Sequence, residues 1–173
     1  MKWLYCYSKQ IHLDDENLSN IECRVFVPKF MGGGYTLPSE SRSIKKICLR
    51  LMFQFLTHGK SKIYFIVDGD KLVHTSYVIP KCGKFPFLGK DDYEIGPCFT
   101  SPTHRGKGIY PAVLRSICQS IGRENTVFYM IVDENNQPSI KGIEKAGFVR
   151  CGTVRVTKFS KKYIIEQRLC VKS

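Results

Sequence analysis

The chain has 173 residues, of which 43% are hydrophobic, so it is long and apolar enough for one domain, residues 1–173, whose core needs no disulfide or metal ion. Its eight cysteines are scattered without a C-x-x-C pair, which argues against a disulfide framework or a zinc site and favours reduced thiols in the cytoplasm. No apolar run reaches the ~18 residues of a membrane span, which argues against membrane insertion, while the net charge of +12 attracts anions of any class, from nucleic acid to phosphorylated small molecules.

The first half of the chain predicts two helices and three strands. After a glycine run, apolar residues recur at helical spacing, which predicts an amphipathic helix that ends before Gly59. Further on, two β-rich runs flank a turn that contains Gly69, which is typical of a β-hairpin. In chain order we predict a strand at 1–8, a short helix that ends at Cys23, a helix from Ile44 to Phe55, and hairpin strands at 62–67 and 72–79.

The second half predicts a mixed sheet. Gly96 and Pro97 interrupt a β-rich run, and we expect a bulge or splay there because proline cannot donate to the ladder. Antiparallel strands followed by a β-α-β-α-β segment imply an α+β fold with a mixed, mostly antiparallel sheet covered by helices. The predicted elements are a strand at 93–100, a helix at 108–121, a strand at 126–132, a helix at 137–146, and strands at 147–156 and 163–171.

The residues between the fourth predicted strand and the next helix predict an anion site. Proline is tolerated in a helix only in the first turn, so Pro111 sets the start of this helix near Gly108. Gly106 and Gly108 then lie at the helix entrance, where unpartnered backbone N–H groups can hold an anion. Arg105 and Lys107 add positive charge, which suits a pyrophosphate better than a single carboxylate.

Two segments resemble the fingerprint of the GNAT acetyltransferase superfamily, in which a Q/R-x-x-G-x-G/A loop joins a strand to a helix. Residues 103–108, Thr-His-Arg-Gly-Lys-Gly, match this loop except at Thr103, where the family has Gln or Arg. Residues 136–148 resemble the family's N-x-x-S/A-I helix, which closes with G-F. The resemblance implies the GNAT fold, a mixed sheet that is splayed between its fourth and fifth strands and flanked by helices on both faces.

The same resemblance implies that acetyl-CoA is the cosubstrate, that it enters the splay, and that no metal ion takes part. By the residues alone, Asn136 is equally well explained as the N-cap of its helix. The residues that the resemblance assigns to acetyl-CoA are Cys98, Phe99, Thr100, Arg105, Gly106, Lys107, Gly108, Ile109, Tyr110, Asn136 and Ser139.

Acetyl transfer to an amine needs a base for the nucleophile and help for the departing thiolate. We predict Glu94 as the base, because many relatives place a carboxylate on this strand, with His74 as the alternative because histidine titrates near neutral pH. Ile143 stands where the family usually has a tyrosine that protonates the thiolate. Either Ser139 or Tyr129 takes over this step, or solvent does, or the chain is a relative without turnover.

The predicted function is therefore an acetyl-CoA-dependent N-acetyltransferase for a small amine. The lysines of the loop at 80–90 indicate a polar or acidic acceptor, such as a nucleotide-linked amino sugar or the N-terminus of an acidic protein. The alternative is a basic nucleic-acid-binding module, although most of its Tyr and Phe residues lie in apolar runs typical of a core. The last strand pairs either across a homodimer or within a monomer.

Overall fold

The computed structural model describes residues 1–8, 23–28, 37 and 44–169, in which eight strands form one sheet and three helices pack against it. In these residues, no helix is long and apolar enough to cross a membrane. The helices are α1 (Ile44–Leu56), α2 (Ile109–Ile121) and α3 (Gln137–Lys145), and a 3₁₀ turn, Pro102–His104, precedes α2. The strands are β1 (Lys2–Ser8), β2 (Arg24–Phe26), β3 (Lys62–Asp68), β4 (Lys71–Pro80), β5 (Tyr93–Thr100), β6 (Val127–Asp133), β7 (Val149–Val156) and β8 (Tyr163–Arg168).

The sheet has the spatial order β2-β3-β4-β5-β6-β1-β7-β8, and all neighbouring strands are antiparallel except β5 and β6, which are parallel. This confirms the predicted mixed, mostly antiparallel sheet. Strand β2 was not predicted, because three residues are too few to show a period of two along the sequence. The short helix predicted before Cys23 falls on residues outside the described part of the chain.

Helices cover both faces of the sheet, as predicted. The side chains of β6 point alternately to these two faces and contact the core on each. Phe128, Met130 and Val132 point to the face that α2 and α3 cover, whereas Tyr129 and Ile131 point to the face of α1. Burial of each large apolar side chain contributes about 1.5–3 kcal/mol, so these two layers hold the helices on the sheet. The helix residues buried in them are Val113, Leu114, Ile117, Cys118, Ile140 and Ile143 on the first face and Phe53 on the second.

The sheet opens between β5 and β6. These strands pair only at Tyr93 with Phe128 and at Glu94 with Tyr129, and beyond Glu94 they no longer pair. On its other side, β5 has the predicted bulge, because Gly96 and Pro97 together lie opposite one residue of β4. The predicted splay between the fourth and fifth strands is therefore confirmed, and the two strands are β5 and β6 because β2 adds one to the count.

Candidate active site

A cavity of about 940 Å³ lies at the opening between β5 and β6, and its wall comes from both faces of the sheet. We call the part on the face of α2 and α3 the cradle half; its wall includes Gly106, Gly108, Tyr110, Asn136 and Ser139. We call the part on the face of α1 the α1 half; its wall includes Leu49, Phe53, Lys84, Phe85 and Tyr163. Two substrates can thus meet from opposite faces of the sheet.

The loop at the start of α2 has the backbone geometry of an anion site. Gly106 and Gly108 have φ values of 77° and 74°, a left-handed conformation that glycine adopts without steric cost. A Cβ atom built on either glycine would meet no atom within 4 Å, so the space beside both is open. The backbone can therefore be approached closely by a ligand at both positions.

The N–H groups of this loop are free to donate. Within the described residues, no backbone carbonyl accepts a hydrogen bond from the N–H groups of residues 106–110. The first bond of α2 runs from the Ala112 N–H to the Gly108 carbonyl at 3.2 Å, and Pro111 has no N–H to place. Such donors at the positive end of a helix can hold a phosphate group.

Basic side chains surround the cradle half, and not all are those expected. The Arg105 side chain lies in the wall and its Nε donates to the Thr100 carbonyl at 3.1 Å, whereas Lys107 is exposed and outside the wall. Lys2, Lys141 and Lys145 line the cavity although they were not predicted to do so. The spacing of four residues between the last two is the signal that would have placed them on one face of α3.

Thr103, the position that departs from the family motif, makes contacts within its own turn. Its Oγ1 lies 3.1 Å from the Ser101 Oγ and 2.9 Å from the His104 Nδ1. The other ring nitrogen of His104 lies 3.4 Å from an Asp68 carboxylate oxygen. The hydroxyl of Thr103 is therefore engaged in the loop and is not part of the cavity wall, whereas His104 lines it.

The wall along β5 consists of Glu94 to Thr100, which includes the predicted residues Cys98, Phe99 and Thr100. Since β6 does not pair with β5 beyond Glu94, this edge of β5 has no strand partner in the described part of the chain. Burial raises the pKa of the Cys98 thiol to about 12, so the sulfur is protonated at neutral pH and is no nucleophile. What this segment offers a ligand is the unpaired edge of a strand.

Glu94 is the buried carboxylate of the cavity wall, to which the exposed Asp133 also belongs. Glu94 is only 5% exposed, and its Oε2 has no hydrogen-bond partner among the described residues. Burial raises its pKa to about 8, against a smaller opposing effect from the charge of Lys84. Its Oε1 lies over Gly96, where an added Cβ would come within 2.7 Å of it. A group with this pKa can accept a proton near neutral pH.

His74, the alternative base, is fully buried and does not line the cavity. Its Nδ1 lies 2.8 Å from the Thr100 Oγ1 and its Nε2 lies 2.8 Å from the Ser76 Oγ, so both ring nitrogens are occupied. Burial lowers its pKa to about 4, which keeps the ring neutral. The geometry supports a structural role, in which His74 ties β5 to β4 beside the opening, rather than proton transfer with a substrate.

The residues considered for the thiolate step are separated by the sheet. Ser139 lines the cradle half, and its N–H donates to the Asn136 Oδ1 at 3.3 Å, so Asn136 caps α3 as the residues alone indicated. Tyr129 packs on the opposite face, with its ring 5.5 Å from that of Phe87, and is not part of the cavity wall. Ile143 is 1% exposed at the wall and offers no donor.

Comparisons with known proteins agree with this architecture. Residues 37–148, more than half of the chain, match the model of the acetyltransferase (GNAT) family. A GNAT-family acetyltransferase from Colwellia psychrerythraea superposes with a TM-score of 0.62 at 16% identity, over 86% of this chain and 52% of that protein. A GCN5-related N-acetyltransferase from Sphaerobacter thermophilus gives a TM-score of 0.55 at 17% identity, over 86% and 48% of the two chains.

This chain thus spans about half the length of these two proteins, and at such identities the likeness concerns the fold. No curated protein sequence matches the chain. The family model, the splayed mixed sheet and the glycine loop at the entrance of α2 agree with one another. The chain belongs to the GNAT acetyltransferase family.

Proposed function

We propose that the chain is an N-acetyltransferase that transfers the acetyl group of acetyl-CoA directly to the amine of a small acceptor. The observation that carries the proposal is the row of free N–H groups at residues 106–110, which open into a cavity beside the splayed strands. Acetyl-CoA carries a pyrophosphate, and that group matches several donors at a helix N-terminus with Arg105 beside them.

The remaining wall fits the rest of this cosubstrate. The pantetheine arm carries two amides, and the unpaired edge of β5 from Cys98 to Thr100 presents backbone groups that can pair with them. Acetyl-CoA supplies an acetyl group activated as a thioester. Along β5, Cys98 lies between the cradle half and Glu94. A pantetheine arm that extends from the cradle half along β5 therefore brings the acetyl group toward the Glu94 carboxylate.

Glu94 is the base in this proposal. It accepts a proton from the amine as the nitrogen attacks the acetyl carbon, the C–S bond breaks, and the electron pair leaves on sulfur. Its pKa of about 8 matches this task, because a base whose pKa lies near the working pH is both available and strong enough. Gly96 leaves the space that the carboxylate occupies.

The α1 half supports an acceptor that carries negative charge. The Lys84 ammonium lies 4.9 Å from the ring centre of Phe53, 5.5 Å from that of Phe85 and 5.7 Å from that of Tyr163. Cation–π contacts hold the ammonium at this wall while leaving its hydrogen-bond donors for a ligand. An amine with a phosphate or carboxylate, for which a nucleotide-linked amino sugar is one example, would place the anion at Lys84 and the amine at Glu94.

Release of the CoA thiol over a panel of matched amines tests this function. Each pair shares one amine and differs in the anionic group, for example glucosamine and its phosphate. We expect turnover of the anionic member at lower KM, and Lys84→Met to remove the difference within the pair. Equal turnover of both members would refute the anionic acceptor, and the absence of acetyl-CoA binding by folded protein would refute the function itself.

Ile143 favours a second candidate, a family member that binds acetyl-CoA without turnover, because the usual tyrosine is absent there. The same assay separates the two, since this candidate binds acetyl-CoA but releases no thiol with any amine. Nucleic-acid binding has less support, because most of the described aromatic residues are packed in the two core clusters and cannot stack on bases.

A further inference from the structure

The cavity wall holds few hydroxyl groups that can face a departing sulfur. Among the described residues of the wall, the phenols are Tyr110 and Tyr163. Tyr163 belongs to the α1 half, where its ring stacks on Phe85 at 5.3 Å. Tyr110 belongs to the cradle half, the side from which a thioester held at the glycine loop arrives. A phenol is also a far better donor to a thiolate than the aliphatic hydroxyl of Ser139.

The Tyr110 side chain crosses from α2 to β5. Its ring packs on Gly142 of α3 so closely that a Cβ at that position would lie 2.6 Å from the ring. On the other side, the ring centre lies 6.0 Å from that of His74. The side chain also lies near Cys98 on the splayed strand, because after burial the charge of the Cys98 thiolate is the next cause that raises the pKa of Tyr110. Gly142 thus gives a phenol from the neighbouring helix a place immediately beside Ile143.

The Glu94 carboxylate lies close to the same part of the cavity. It folds over Gly96, two residues before Cys98. After burial, its charge is one of the causes that raise the pKa values of Cys98 and Tyr110. In acyl transfer, one carbon atom separates the attacking nitrogen from the leaving sulfur. Glu94 and Tyr110, both in the cavity wall, can therefore lie on either side of the reacting carbon, with the base toward the amine and the phenol toward the sulfur.

We propose that Tyr110 is the catalytic residue that donates a hydrogen bond to the CoA sulfur as the C–S bond breaks, in the place of the tyrosine absent at position 143. This inference rests on the proposed function. The nitrogen gains the acetyl carbon and gives its proton to Glu94; the sulfur takes the C–S electron pair and leaves as a thiolate held by the Tyr110 hydroxyl. Glu94 then releases the proton to solvent.

Two further observations agree with this role. Burial raises the pKa of Tyr110 well above its ordinary value, so the hydroxyl keeps its proton and acts as a donor, while a thiolate with a pKa of about 8.5 does not remove that proton. The Cys98 sulfur accepts a hydrogen bond from the Ser76 hydroxyl at 3.2 Å. Cys98 therefore has a donor of its own and does not need the Tyr110 hydroxyl.

Binding of CoA and of desulfo-CoA, which lacks the sulfur, tests the contact without any acceptor. We expect Tyr110→Phe, measured by calorimetry at pH 9, to weaken CoA binding by about 10-fold or more and to leave desulfo-CoA binding unchanged. Equal loss for both ligands would show a packing role, and no loss for either would show that the hydroxyl does not reach the sulfur. Either result overturns the inference.

The control is Tyr64→Phe, because Tyr64 is a buried tyrosine of the same core cluster whose hydroxyl lies 2.9 Å from the Ser120 Oγ and outside the cavity wall. It should bind both ligands as the wild type does. With an amine that the wild type acetylates, Tyr110→Phe should lower kcat by about 10-fold or more and leave KM for acetyl-CoA within about twofold. If the wild type itself binds neither ligand, the proposed function fails; if it binds both and the variant does not distinguish them, only the role of Tyr110 fails.

Discussion

Glu94 makes the clearest prediction at the scale of a residue, because its pKa is raised to about 8 by burial. A base acts when it has lost its proton, so kcat/KM for acetyl transfer should rise as the pH increases through about 8. Glu94→Gln should lower kcat about 100-fold or more and remove this rise. A pH–rate profile of both proteins checks it, and an unchanged profile in the variant would assign the base elsewhere.

Gly96 makes a second prediction, through the space it leaves for Glu94. Gly96→Ala would place a Cβ 2.7 Å from the Glu94 Oε1 and displace the carboxylate. We expect kcat to fall about 10- to 100-fold while acetyl-CoA affinity is kept, since a small displacement of a reacting group is costly. Gly83→Ala is the matched control, because a Cβ there meets nothing within 4 Å. Equal activity of the two variants would contradict the role of Gly96.

The wall residues that could be predicted from the sequence lie on two short segments, 94–110 and 136–139. Glu94, Arg105 and the two glycines of the cradle follow from a strand, a loop and a helix start that are contiguous. Lys2 reaches the cavity only because the sheet brings distant segments together, and nothing in its own neighbourhood indicates this. Lys84 differs, because the lysines of the loop at 80–90 were predicted to favour an acidic acceptor and Lys84 of that loop lines the cavity. His74 shows the converse, since a strand histidine does not reveal that two hydroxyls occupy its ring nitrogens.

At the scale of the element, α3 begins at a cap that can be tested apart from binding. The Asn136 Oδ1 accepts from the Ser139 N–H, so Asn136→Ala should lower the free energy of unfolding by about 1 kcal/mol. Asn136→Asp keeps the hydrogen-bond acceptor and should retain nearly all of the wild-type free energy of unfolding. Urea denaturation of the wild type and the two variants measures this. An alanine variant as stable as the wild type would exclude a capping contribution.

The elements differ in how far their own residues determine them. Helices α1 and α2 and strands β3 to β6 follow from periodicity, from turn residues and from Pro111 in the first turn of α2. Strand β2 could not be predicted from its own residues, because pairing with β3, not composition, makes it a strand. The bulge at Gly96 was foreseen from proline chemistry, whereas its effect on Glu94 required the side-chain positions.

At the scale of the whole molecule, the buried carboxylate makes stability depend on pH. The folded state holds the Glu94 proton up to a pH of about 8, whereas the unfolded chain loses it near 4.5. Between these values the folded state binds more protons, so the free energy of unfolding should fall by about 1.4 kcal/mol per pH unit from this group. Glu94→Gln should remove this part of the fall. Urea denaturation between pH 5 and 8 checks it, and parallel curves for the two proteins would refute it.

The arrangement of the whole molecule also accounts for where the cavity lies. Helices on both faces bury two separate core layers, and the break between β5 and β6 is where a cavity reaches both. The fold and the glycine loop could be predicted from the sequence because a contiguous motif carries them. The α1 half could be predicted only in part, since α1, the loop before β5 and β8 assemble it and the sequence indicated only the lysines of that loop.

Calorimetric titration of acetyl-CoA into the wild type, Gly108→Asp and Gly69→Asp tests most directly whether the free N–H groups at the start of α2 hold the cosubstrate. Both glycines have a left-handed backbone, with φ values of 74° and 55°, and open space where the Cβ would stand, so the two substitutions carry similar strain. Of these two glycines, Gly108 lines the cradle half and Gly69 does not line the cavity. We predict binding by the wild type and by Gly69→Asp, and a loss of affinity of about 10-fold or more in Gly108→Asp, because its carboxylate occupies and repels the phosphate site. Equal affinity of all three proteins, or no binding by the folded wild type, would contradict it.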